Sequence, residues 1–391
     1  MKNTREVEAD RLLEQGNEQH ENDQYEAALP FLQEALAIYR EMSDRQGERQ
    51  ALRLLKDALE KMGLSYYSQK DYAKTVEFLQ QSFTIAGEIG EHTQEVCTLC
   101  TLGRAYDYQE NQVKAIESFQ QSLNIARESG NRTEQVCLLL CLAYIYANRG
   151  DFAKAIDSCG SCLAIAREVG NRGREKESLY YLGFTCNKLG DYARAIDCYQ
   201  QGLDIARETR DRATEAEILS SLGTTFYNLG DYARAIEWHE QSLEIVRQMS
   251  DRREEQGHTV GRLGINYARL GNYTKGINYL EQSLTIAQEL GDRSWERFAL
   301  SHLGTAYDAL GESAKAIECY QQSLEHGKPS QDTLALSNLA KAYLSLGDSA
   351  QAVEYSKQWL AIVRSSGDTK GEEAVLNILD NALEDYAKTI E

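Results

Sequence analysis

The stretch LGDYARAI stands at residues 189–196 and returns unchanged at 229–236, 40 positions further on. A catalytic centre needs one arrangement of reactive groups, whereas a surface built from stacked units needs one local geometry many times. Working outward, a small residue nine positions before the Tyr of LGDY recurs as Gly16, Gly63, Gly103, Ala143, Gly183, Gly223, Gly264, Gly304 and Ala340. The intervals are 47, 40, 40, 40, 40, 41, 40 and 36 residues, so the chain is read as nine units.

Each unit carries two amphipathic helices. In the unit that begins near Arg172, Leu179, Leu182, Gly183 and Cys186 recur at helical spacing, and after a break Ala195, Ile196, Tyr199, Gly202, Leu203 and Ala206 do the same. The break is LGDY, where Gly190 can take the left-handed turn that ends a helix and Asp191 can cap the next one. A second break, written SDR, GNR or GDR, places Asn131, Asn171, Asp211, Asp251 and Asp292 to cap the following unit. The small residue of the first helix predicts close approach of the second, whose own small residues are Ala195, Gly202, Ser82, Ser122, Ser242 and Ser283. Pro30 is expected to kink a second helix or to lie in its first turn, and GKPSQD at 327–332 to form a looser junction.

The pattern LGxxYxxLGDYxxAI…QQSLxIAxExGDR resembles the tetratricopeptide repeat, lengthened from about 34 residues to 40 in the segment IARExGDRxxE. Similar long repeats occur in the Pins/LGN adaptors, in kinesin light chain and in many bacterial proteins. The resemblance implies an all-α fold, a right-handed superhelix of about nine helical hairpins with a C-terminal capping helix. It also implies a role in holding other proteins together. The repeats fall near 4–43, 46–90, 92–130, 132–170, 172–210, 212–250, 252–291, 292–327 and 331–367, and 368–391 reads as the cap. In the cap Asp380 takes the place of the small residue, and a carboxylate there suits a face turned to water.

Composition narrows the function. Over 391 residues, 42% are hydrophobic, enough for a continuous core, and the net charge is −19. That charge disfavours nucleic acid and anionic membrane surfaces as partners. The N-terminus carries no apolar block of signal-peptide length, and no run approaches the roughly 18 apolar residues of a membrane span. The expectation is a cytoplasmic protein, and its nine cysteines are expected to be free thiols.

No phosphate-binding loop, dinucleotide motif, HExxH pair or nucleophile elbow occurs, so no enzyme, cofactor or metal is expected. Cys97 and Cys100 in one unit and Cys137 and Cys141 in the next could place four thiols on neighbouring first helices. Metal-binding pairs usually sit on tight turns that converge their sulfurs, so small apolar groups on a packed or grooved surface is the preferred reading. Cys159, Cys162, Cys186 and Cys198 replace interior residues of other units and are expected in or near the core, with Cys319 matching Cys198.

Binding is expected where the repeat stops repeating. If Leu182, Gly183 and Cys186 face the partner helix, the opposite stripe of each first helix lines a concave groove. That stripe carries Cys97, Cys100, Arg104 and Tyr108, then Cys137, Leu140, Cys141 and Tyr144, then Tyr180, Tyr181 and Phe184, and then Tyr227. It turns polar and partly basic further on, at Arg262, Arg269, His302 and Lys341. An aromatic patch followed by positive charge suits another protein, bound through a peptide or helical segment with an apolar stretch and an acidic flank. The same aromatics could instead pack on one another across units. The reading is therefore a non-catalytic adaptor or scaffold. The alternative is a ligand-responsive regulator that takes a small peptide or hydrophobic molecule in the groove.

Overall fold

The structure, a computed structural model, describes residues 4–90, 92–325 and 333–390. The chain is all α-helical, with nineteen helices and no strand among the described residues. They group into two compact units, residues 1–198 and 199–391.

The first unit holds α1 (Thr4–Glu21) with α2 (Tyr25–Met42), α3 (Arg45–Ser68) with α4 (Tyr72–Ile89), α5 (His92–Tyr108) with α6 (Gln112–Glu128), α7 (Arg132–Asn148) with α8 (Phe152–Glu168), and α9 (Arg172–Leu189). Helix α10 (Tyr192–Glu208) carries the boundary between the units. The second unit holds α11 (Arg212–Asn228) with α12 (Tyr232–Arg247), α13 (Arg253–Arg269) with α14 (Tyr273–Leu290), α15 (Arg293–Ala309) with α16 (Ser313–Glu325), α17 (Thr333–Leu346) with α18 (Ser349–Ser366), and α19 (Thr369–Ile390). Within each unit a helix lies against the one before it and the one after it.

The small residues act as expected. A Cβ added at Gly16 would come within 2.6 Å of Leu32 Cδ2, and one at Gly264 within 2.7 Å of Leu280 Cγ. The residue that covers the glycine stands sixteen positions after it in both cases. Three positions further on, the small residue of the second helix does more than leave room. Ser82, Ser122, Ser242 and Ser283 each donate a buried hydroxyl hydrogen bond to the main-chain oxygen 26 residues earlier, on Lys56, Val96, Ala216 and Gly257. Cys162 Sγ makes the same contact to Val136 at 3.4 Å. In these five hairpins one buried donor thus fixes how far the two helices can slide, because losing its acceptor would strand a polar atom in the core.

The turns follow the sequence reading with one exception. Gly190 takes φ +87°, and Asp191 Oδ1 accepts from the Arg194 amide at 3.2 Å. Asn131, Asn171, Asp211 and Asp292 accept from amides of the next helix in the same way. Asp251 does not: α13 starts at Arg253 behind Arg252, which makes no side-chain cap. The extra residue of the 41-residue interval falls in this junction and moves Asp251 out of register. Pro30 lies within α2 rather than in its first turn, and the helix continues to Met42. The junction expected at 327–332 lies outside the described residues. Helix α19 buries Val375, Leu379 and Ala382 against α18 while Asp380 stays exposed. None of the described helices is long and apolar enough to cross a membrane.

Candidate functional site

The residues expected to line a groove divide between the two units. In the first unit the first helices α5, α7 and α9 touch in sequence and offer one shared face. On it Cys97 and Arg104 are exposed, Tyr108 is 62% exposed and Tyr144 is 44% exposed. Cys100, Cys137, Cys141, Tyr180, Tyr181 and Phe184 are half-buried. Leu140 is 6% exposed and belongs to the core cluster, so it is no part of that surface. Helix α7 is apolar on nearly every side, which hides from the sequence the direction in which Leu140 points.

The aromatics of this face both pack on one another and remain reachable. Tyr181 meets Tyr144 edge-on at 6.3 Å between ring centroids and Tyr180 at 5.5 Å. Tyr181 and Phe184 also rest against the core, as do Cys100 and Cys141. Tyr108 stacks on Tyr72 of α4 at 4.5 Å. The Cys100 thiol donates to Cys141, which burial opposes and the Arg104 guanidinium reinforces, and Cys141 is held down at about 7. The same hydrogen bond, together with burial, pushes Cys100 well up. Cys159, Cys162, Cys186 and Cys198 are buried, as their places in the repeat imply.

In the second unit Tyr227, Arg262 and His302 are half-buried, while Arg269 and Lys341 are exposed. Tyr227, Arg262 and His302 line one cavity of about 220 Å³ between α11, α13 and α15, floored by α12. Arg262 Nη1 donates to Ser220 Oγ at 2.8 Å and to Thr224 Oγ1 at 3.3 Å, which ties α13 to α11 beside the opening. His302 packs edge-on against Phe298 at 4.5 Å. Burial, with the charge of Arg269, holds its imidazole down at about 4.

Sequence reasoning missed the floor of this cavity. His239 of α12 is 1% exposed and stands sixteen residues after Gly223, where other units place Leu32, Leu79, Phe119, Leu280 and Tyr320. Its ring lies over that glycine, whose added Cβ would meet it at 2.7 Å. Burial and the nearby Arg262 charge lower its pKa to about 3, so the ring is neutral at physiological pH. Its Nδ1 has no hydrogen-bond partner, and neither has Asn266 Oδ1 on the adjoining wall. The available signal was a histidine in a column that is apolar in the other units except at Ser356.

One group in the second unit has metal-ligand spacing. Glu254, His258 and Asp292 bring one ligand atom each to within 4.8 Å of one another. Asp292 Oδ1 is already engaged by the Ser294 and Trp295 amides, and the His258 ring lies 4.0 Å from that of Trp295. This is accounted for as a capped helix start with an aromatic contact. Among the described residues the cysteines form no such group.

Among solved structures, the apo form of RapI aligns over 92% of this chain and 99% of its own length, at 17% identity and TM-score 0.63. A signal-transduction ATPase with numerous domains and a tetratricopeptide repeat sensor, from Pyrococcus horikoshii, aligns over 88% of this chain and 53% of its own, at 18% identity and TM-score 0.59. A Rap protein complexed with competence and sporulation factor aligns over 94% of this chain and 99% of its own, at 15% identity and TM-score 0.51. These likenesses are of fold. No curated protein matches in sequence. A profile for anaphase-promoting complex subunit 5 matches residues 11–60 alone. Tetratricopeptide repeat profiles match residues 54–128, 134–208, 177–248 and 256–328, and a second such profile matches 302–367. With most of its length matched and its helices paired as that repeat requires, the chain belongs to the tetratricopeptide repeat family.

Proposed function

We propose that this protein is a non-catalytic adaptor that captures a segment of another protein on the face presented by its first helices. The observation that carries the reading is the Tyr/Cys-rich surface of α5, α7 and α9, where Tyr108 and Tyr144 stay exposed although the helices around them are well packed. Exposed aromatics above a rigid base are the side chains that dominate interface energetics. The Rap protein solved with competence and sporulation factor supports the use of such a fold to hold a ligand.

The test compares proteins captured from a cell extract by the wild type and by Tyr144→Ala. A partner enriched by the wild type, and lost with Tyr144→Ala while the melting curve is unchanged, supports the reading. Identical captures by the two proteins refute it. The second reading, a regulator that responds to a small ligand, is favoured by one observation, the cavity above His239.

A further inference from the structure

We propose that Cys141 and Cys100 form a peroxide-reactive thiol pair, in which Cys141 takes an oxygen from a small hydroperoxide and Cys100 then closes a disulfide between α5 and α7. The pair lies outside the adaptor reading and would act whether or not this face captures a protein.

The register of the repeat brings the two side chains together. Counted from the small residue of each first helix, Cys100 stands three places before Gly103 and Cys141 two places before Ala143. In a later pair of neighbouring units the same two places are held by Ser220 and Arg262, which meet across the helices at 2.8 Å. Helices α5 and α7 are likewise in contact, and the Cys100 thiol donates to the Cys141 sulfur. At every other step along the array these two places hold at most one thiol, as with Leu140 and Tyr181.

The surroundings divide the labour between the two sulfurs. The Cys100 hydrogen bond, and after it the Arg104 and Arg174 guanidinium groups, hold Cys141 at about 7 against the opposing effect of burial. Burial pushes Cys97 and Cys137 up instead, so the thiolate, which is the nucleophile, is concentrated on Cys141. Cys100 keeps its proton. Both members of the pair are half-buried, neither sealed in the core, which suits a small oxidant.

In the first step the Cys141 thiolate attacks the peroxide. An S–O bond forms, the O–O bond breaks, and the alkoxide or hydroxide released takes a proton from water. Sulfur loses two electrons and the hydroperoxide gains them, leaving Cys141 as a sulfenic acid. In the second step the Cys100 sulfur attacks Cys141, the S–S bond forms, and the departing hydroxide leaves as water with the Cys100 proton. A dithiol returns the pair to two thiols by exchange.

The test treats the full-length protein at pH 7 with hydrogen peroxide, blocks the remaining thiols with N-ethylmaleimide, and maps the peptides by mass spectrometry without reduction. We expect a peptide pair joined through Cys100 and Cys141 and separated again by dithiothreitol. Cys100→Ser should leave Cys141 as a sulfenic acid that dimedone traps, Cys141→Ser should protect Cys100, and Arg104→Gln should slow the loss of the Cys141 thiol by about threefold or more. Circular dichroism melts check that each variant is folded, and the wild-type map stands without them. The proposal is overturned if the wild type forms no Cys100–Cys141 bridge, if Cys97 is oxidised as fast as Cys141, or if Cys100 is oxidised at the wild-type rate in Cys141→Ser.

Discussion

Replacing His239 with leucine should stabilise the second unit and remove part of its sensitivity to acid. His239 fills a column held by Leu32, Leu79 and Leu280 in other repeats, and Leu280 makes the equivalent contact over Gly264. Leucine therefore fits the space over Gly223 without an unpaired nitrogen, and removing such an atom is worth about 1–3 kcal/mol. The pH dependence follows from the imidazole. Its pKa is 6.5 when unfolded and about 3 when folded. The folded value is depressed, so the native state is at full stability above about pH 7. It loses stability as pH falls through 6.5, because only the unfolded chain takes up the proton. At pH 5 the gap of 1.5 pH units below 6.5 amounts to about 2 kcal/mol. Urea unfolding of wild type and His239→Leu, followed by helicity at pH 7 and pH 5, measures the difference at each pH. We expect the advantage of the variant to be about 2 kcal/mol larger at pH 5. His302, held at about 4, remains in both proteins and cancels in the comparison. An advantage that is the same at both pH values would refute the neutral, buried histidine.

Gly223→Val should push α12 away through the His239 ring, which a Cβ would already meet at 2.7 Å, and lower stability by about 1–3 kcal/mol or more in the same urea titration. Ser242→Ala removes the second hydrogen bond to the Ala216 carbonyl at the α11–α12 seam, and a loss of about 0.5–1.5 kcal/mol is expected. At pH 7 iodoacetamide should modify Cys141 before the more exposed Cys97, since only Cys141 is held near 7, and Arg104→Gln should slow the reaction, as peptide mass spectrometry would show. Phe184→Ala should lower the melting temperature, because the ring rests against the core, whereas Tyr144→Ala should leave it nearly unchanged.

The repeat, its two helices, most of the capping residues and the close approach at Gly16 and Gly223 were all legible in the sequence. Each depends on residues a few positions apart, where helical period and backbone preference act locally. The site was legible only in part. The stripe of Tyr144, Tyr181 and Phe184 could be named, but its exposure could not, since each ring can turn toward water or toward its neighbour in the next repeat. Leu140 shows the same limit from the other side: on a helix as apolar as α7, periodicity gives no direction. His239 shows it most clearly. The sequence marks it as a polar residue in a column that is apolar elsewhere except at Ser356. Only the tertiary structure decides that its nitrogen is sealed from water, unpaired, and set beside Asn266 and Arg262 at the floor of a cavity, because helices far apart along the chain must come together before that space exists.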